Sequence, residues 1–262
     1  MIQVLKFNRI KNFFSSCLAA IVLGLLLCSG GCRSTQTAVD VSHYPANANL
    51  LPGKGPATSW KGLPAVWAQR EAQFAKTAAG DYHAVVFLGD SITQGWTSLA
   101  KDFPNLKVAN RGIGGDTTRG VLYRLDADVL SLDPQAIVLL IGTNDIGNGA
   151  NPADVADNIR AILKAIRKED PEIPVIVCEV MPSSAKMGRP ADKIEKLNAL
   201  IQKEMKNKPN VYLCDTWSIF ADANGNAPHD IFHDLLHPNA AGYAKWEAAL
   251  NPILAKLDLK AI

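Results

Sequence analysis

A chain of 262 residues, 48% apolar and 20% charged, with 19 Gly, 15 Pro and five Cys, has room for one full domain and an appendage, which excludes a disordered chain, a collagen-like repeat and a disulfide-stapled mini-protein. Its 27 basic and 25 acidic residues leave a net charge of +2, and three of the basic ones, Lys6, Arg9 and Lys11, fall within the first eleven residues, with no acid before Arg33. The remainder is close to neutral and has no Lys/Arg run, so electrostatics gives no reason to expect a nucleic-acid partner.

Residues 1–11 are polar and basic, residues 17–28 form an unbroken apolar run, and Ser29, Gly30 and Gly31 stand before Cys32. This is the three-part layout of an export signal, and the apolar run falls short of the roughly 20 residues a spanning helix needs. The pattern predicts a signal peptide over 1–31. The stretch from Leu27 to Cys32 resembles a bacterial lipoprotein signal, in which the Cys after two small residues becomes the lipid-bearing N-terminus; Ser29 departs from it, standing where the usual pattern has Leu. That resemblance implies lipidation at Cys32, a lipid-anchored membrane partner and a place in the bacterial cell envelope. Cys178 and Cys214 lie in apolar strand-like runs, where a thiol behaves as a small hydrophobe, and their spacing suits neither a zinc knuckle nor a redox pair.

Residues 32–61 are rich in Ser, Thr, Ala, Asn, Pro and Gly without helical or strand period, and read as a flexible tether to a domain over 62–262. Trp67 and Phe74, seven apart among polar residues, predict an amphipathic helix over 62–79. Five apolar runs follow, at 84–88, 106–109, 136–141, 175–180 and 211–214, nearly continuous in Val, Ile and Leu as in strands covered on both faces. Between them Val155, Ile159, Ile162, Leu163 and Ile166 repeat at helical spacing after an Asn151-Pro152 start. Ile194, Leu197 and Ile201 mark another helix, and Tyr243, Trp246, Leu250, Ile253 and Leu257 the last. Strands alternating with helices predict right-handed crossovers and a three-layer α/β/α sandwich around a five-stranded parallel sheet. Ligands in such folds sit beyond the carboxyl ends of the strands.

Those ends carry Gly89-Asp90-Ser91, then Gly112-Ile113-Gly114-Gly115-Asp116, then Gly142-Thr143-Asn144-Asp145, and the C-terminal part supplies Asp234-Leu235-Leu236-His237. Singly, Ser91 would cap a helix, Asn144 close an Asx-turn, Gly115 supply a positive φ and Asp234 cap a turn. Together and in order they supply the polar groups a serine esterase needs, and predict that chemistry. A hydroxyl is a weak nucleophile until a base takes its proton, which assigns Ser91 as nucleophile and His237 as base. Asp234, three residues before His237, can hold the imidazole tautomer. The backbone N–H groups of Ser91 and Gly115 and the Asn144 amide can form the oxyanion hole.

These four blocks resemble the SGNH, or GDSL, family of esterases and lipases, through Ser91, Gly115, Asn144 and His237. The wording VVFLGDS, RGIGGDTTRGVLYRL and IGTND is most similar to the catalytic subunits of brain-type platelet-activating-factor acetylhydrolase and their bacterial relatives. The resemblance implies a flavodoxin-like strand order, a Ser91-His237-Asp234 triad, no metal and no cofactor. The short loops after Ser91, Asn144 and Asp215 leave no room for a lid, and point to a short acyl group, such as acetyl, on a carbohydrate or lipid alcohol. A lysophospholipase- or thioesterase-like lipid hydrolase, or a non-catalytic glycan- or lipid-binding envelope protein, are the competing readings.

Other chemistries fit less well. Residue 93 is Thr, so the G-x-S-x-G elbow of the other large hydrolase class is missing. His229, His233 and His237 recur every fourth residue, yet Pro228 and Pro238 bracket them and no H-E-x-x-H occurs. Glu179 and Asp215 could pair as a glycosidase would require, but lack a sugar-stacking aromatic array and read as caps or loop anchors.

Overall fold

The computed structural model describes residues 44–260 apart from residues 57 and 59. The expected signal peptide and Cys32 lie outside the described residues.

Five parallel strands form one sheet: β1 (Val85–Gly89), β2 (Val108–Gly112), β3 (Ala136–Leu140), β4 (Val175–Cys178) and β5 (Val211–Cys214), in the order β2-β1-β3-β4-β5. The main helices are α1 (Leu63–Asp81), α2 (Ser91–Gln94), α3 (Leu99–Asp102), α4 (Thr118–Asp128), α5 (Thr143–Gly147), α6 (Pro152–Glu169), α7 (Ala191–Met205) and α8 (Ala240–Leu254). Because side chains alternate along a strand, Val86 and Leu88 face one layer and Val85 and Phe87 the other. The first pair packs with Val121 of α4, Ile159 of α6 and Leu197 of α7; the second with Ile92 of α2, Leu99 of α3 and Trp246 of α8. This is the three-layer sandwich expected. Asn151 Oδ1 accepts from Ala153 N–H at 3.0 Å and Pro152 opens α6, so the predicted start holds. In register, Gly89 lies beside both Gly112 and Leu140, so three successive strands end on one edge of the sheet.

Two stretches differ from the sequence expectation. The second strand runs past the apolar residues 106–109 into Asn110, Arg111 and Gly112. Arg111 is buried because its guanidinium pairs with Asp81 at 2.9 Å, donates to Asp128 O at 3.1 Å and lies over the Phe74 ring. On the open side of β2, Arg70 donates to Gly112 O at 2.8 Å and Asn110 O at 3.1 Å, capping carbonyls that would invite another strand.

The second difference concerns the tether. From Tyr44 to Pro56 the chain lies on the domain rather than apart from it. Arg119 of α4 donates to the carbonyls of Asn49, Leu51, Pro52 and Gly55. Asn158 of α6 closes a two-way bond with Lys54, accepting from its N–H at 2.8 Å and donating to its carbonyl at 2.9 Å. Tyr44 sets its ring edge-on to Trp67 at 5.1 Å. The segment has no apolar period of its own because its backbone is held by two nearly buried polar side chains of the domain.

Candidate active site

Each strand end supplies one part of the site. Asp90 caps α2, its Oδ1 accepting from Ile92 N–H at 2.9 Å. Ser91, the first residue of the helix, therefore has no capping duty, and its Oγ lies 2.9 Å from His237 Nε2. On the far side of the ring, His237 Nδ1 is 2.6 Å from Asp234 Oδ2, while Asp234 Oδ1 accepts from the N–H groups of Leu236 at 3.0 Å and His237 at 2.7 Å. Burial disfavours the Asp234 charge, but the bonds from His237 and Leu236 outweigh it and hold the carboxyl down at about 2. Asp234 is thus an anion throughout the neutral range. The turn that brings Asp234 under His237 places Leu235 at φ +61°, a strained position for a branched residue, and Ser183 donates to the Leu235 carbonyl at 2.8 Å. Tyr243 of α8 donates to Ile92 O at 2.8 Å, tying the helix that follows His237 to the helix that begins with Ser91.

The loop after β2 brings Gly114 and Gly115 beside Ser91: a Cβ on Gly114 would stand 3.8 Å from Ser91 Cβ. Gly115 has φ +82°, and a Cβ there would lie 2.6 Å from the Trp60 ring, so both conformation and space demand glycine. Asn144, in the first turn of α5, donates from Nδ2 to Asp116 O at 2.9 Å and accepts at Oδ1 from Arg189 Nη2 at 2.9 Å. With Oδ1 held by a guanidinium, the amide presents Nδ2 hydrogens, the state in which it can donate to an oxyanion.

A buried scaffold beneath these groups has no counterpart in the sequence reading. Arg124, fully buried in α4, binds Asp116 at 2.8 Å, Asp128 at 3.2 Å and the Gly89 carbonyl at 3.0 Å, joining the glycine loop to the end of β1. Asp145 accepts from Thr118 N–H at 3.0 Å and Thr118 Oγ1 at 2.5 Å, joining α5 to α4. Arg189, from the loop before α7, adds bonds to Thr143 O at 3.0 Å and Met187 O at 2.6 Å. The signal available for Arg124 was a charged residue set between Val121 and Leu125; Arg189 gave none.

Glu179 and Asp215 are loop anchors. Glu179 accepts from Gln202 of α7 at 2.5 Å, and Asp215 accepts from Ser218 N–H at 2.8 Å. Among the described residues no three His, Cys, Asp or Glu side chains are grouped to hold a metal ion, and His229, His233 and His237 make no such set. Cys178 and Cys214 are free, buried, and paired across β4 and β5.

The profile of the GDSL-like Lipase/Acylhydrolase family matches residues 87–245, which take in all four blocks. The chain belongs to this family. Among curated relatives, platelet-activating factor acetylhydrolase IB subunit alpha2 of Homo sapiens is 34% identical over 199 residues, covering 73% of this chain and 84% of its own. A GDSL-like lipase from Bacteroides thetaiotaomicron has TM-score 0.63 and 25% identity, covering 71% of this chain and 97% of its own. A lipase/acylhydrolase from Enterococcus faecalis has TM-score 0.54 and 25% identity, covering 67% of this chain and 97% of its own. As a GDSL acylhydrolase, the chain is an ester hydrolase.

Proposed function

We propose that this GDSL hydrolase is a serine esterase that removes a short acyl group, acetyl foremost, from a carbohydrate or lipid alcohol through an acyl-Ser91 intermediate. The observation that carries this reading is the unbroken relay from Ser91 Oγ through His237 to Asp234, at 2.9 and 2.6 Å. His237 takes the Ser91 proton as Oγ attacks the ester carbonyl, and returns it to the departing alcohol oxygen. A water, deprotonated by the same imidazole, then cleaves the acyl-serine. Asp234, an anion at working pH, stabilises the imidazolium and fixes its tautomer. The carbonyl oxygen, negative in each tetrahedral intermediate, is received by the N–H groups of Ser91 and Gly115 and by Asn144 Nδ2, each donor contributing about 3 to 4 kcal/mol to barrier lowering.

The side chains of His237 and Asp234 are 41% and 48% exposed, so the alcohol side of the site is open to solvent. An open mouth favours a small acyl group on a bulky alcohol. The leader supports export, and Cys32 behind Gly30-Gly31 supports a lipid anchor in a bacterial envelope. Turnover of p-nitrophenyl acetate, fast in the wild type and falling as the acyl chain lengthens, tests the reading. Ser91→Ala is expected to abolish it, and Asp234→Asn to cost less than His237→Ala. Equal rates with and without the Ser91 hydroxyl would retire the mechanism, and faster turnover of a dodecanoyl ester the short-acyl assignment.

A further inference from the structure

We propose that Trp60 is a substrate-positioning residue whose indole takes the apolar face of a sugar ring in the alcohol half of the ester. The inference rests on the acyl-Ser91 reading and names the alcohol class that reading leaves open. Its starting point is a contrast in burial. Trp67, Trp96 and Trp246 are 0–1% exposed, whereas Trp60 is 48% exposed on the rim of the catalytic edge. Leaving half an indole in water forgoes much of the stabilisation its burial would bring.

The ring is nevertheless seated. Positions that a Cβ would occupy on Gly115 and on Gly62 lie 2.6 and 2.8 Å from its carbons, so two residues without side chains let the indole lie close against the backbone. Leu63 N–H donates to the Trp60 carbonyl at 3.2 Å, placing it at the start of α1. The preceding segment is pinned to α4 and α6 by Arg119 and Asn158. The wall thus borders Gly115, whose N–H is the proposed oxyanion donor and whose chain neighbour Gly114 flanks Ser91.

The partner follows from the shape and exposure of this wall. The acyl group bonded to Ser91 needs shelter from water; a half-exposed ring suits the part of the substrate that also remains half-exposed, the alcohol. One flat apolar face with water around it complements a pyranose, which offers C–H groups on its face and hydroxyls on its edge. A long alkyl chain would need an extended apolar wall rather than a single ring.

The test uses the full chain, with Trp60→Ala and Trp60→Phe, on two acetate esters: acetylated xylo-oligosaccharide and ethyl acetate, which has no ring. Trp60→Ala is expected to raise KM for the oligosaccharide about tenfold with kcat little changed, to leave ethyl acetate within about twofold, and to be largely rescued by Trp60→Phe. Titrating the same oligosaccharide into Ser91→Ala protein should change tryptophan fluorescence, and the change should vanish in Ser91→Ala/Trp60→Phe. Equal losses on both esters would make Trp60 a prop for the Gly115 loop and overturn the proposal. So would an unchanged oligosaccharide KM, a loss that tracks acyl length, or wild-type preference for an acetylated lysophospholipid over the oligosaccharide. Failure of the catalytic reading has a separate signature, ethyl acetate hydrolysis that survives Ser91→Ala.

Discussion

Arg189 acts on the site through Asn144, without itself being placed to meet the ester. By holding Asn144 Oδ1 at 2.9 Å while Asp116 O engages Nδ2, it fixes which end of the amide can meet the substrate. An unheld amide could turn its oxygen inward and repel the oxyanion. Lysine cannot replace three directed donors in a planar fork. Arg189→Lys and Arg189→Ala are therefore expected to lower kcat roughly tenfold or more, within the limit of about 10²–10³ set by losing one oxyanion donor, with KM nearly unchanged. Arg189→Ala/Asn144→Ala should be no slower than Asn144→Ala alone, because the guanidinium has then lost the group it orients. Additive losses would place the Arg189 contribution elsewhere. At this scale the groups of the proposed site were legible, since Ser91, Gly115, Asn144, Asp234 and His237 sit in four ordered blocks. Their supports were not: Arg189 touches Asn144 across 45 residues, and no local spacing records such a contact.

Among elements, α4 bears most directly on the site's geometry. Its Arg124 bridges the glycine loop, the β1 end and Asp128 with no exposure to water. Arg124→Met keeps the bulk but leaves Asp116 and Asp128 in an apolar site without a cation. Such a change is expected to cost about 3 to 5 kcal/mol in urea denaturation, and Arg124→Lys should recover only part of it. A loss below about 1 kcal/mol would mean that water reaches the pair. The long helices α6, α7 and α8 were readable because their apolar faces repeat at helical spacing. The residues of α4 were not, because Arg124 and Asp128 occupy buried positions and erase the period. β2 was placed early for the same reason, with buried Arg111 in its second half. The docked segment 44–56 was missed because its stability lies in backbone carbonyls, which sequence composition does not report.

For the molecule as a whole, closing three strand ends under one site buries acids as well as apolar groups. Asp90, 1% exposed, illustrates the consequence. Burial pushes its carboxyl up to about 7 against the opposing hydrogen bond from Ile92 N–H, and the charges of Asp116 and Asp145 push the same way. Burial likewise raises Asp116 and Asp145 to about 6. An acid raised on folding keeps its proton in the native state after the unfolded chain has released it. Its contribution to stability is complete below its unfolded value of 3.8 and is lost as pH climbs to its folded value of about 7. For Asp90 alone the loss is about 4 kcal/mol across that window. Asp234, held at about 2, is ionised in both states there and does not offset it. The unfolding free energy measured in urea should therefore fall as pH rises from 4 to 8. Asp90→Asn keeps the amide-side oxygen for Ile92 N–H and has no proton to lose, so its curve should fall less steeply, by about 1.4 kcal/mol per pH unit in the middle of the window. Parallel curves for the two proteins would mean that Asp90 carries its charge inside the folded domain, and that its unpartnered Oδ2 finds solvent.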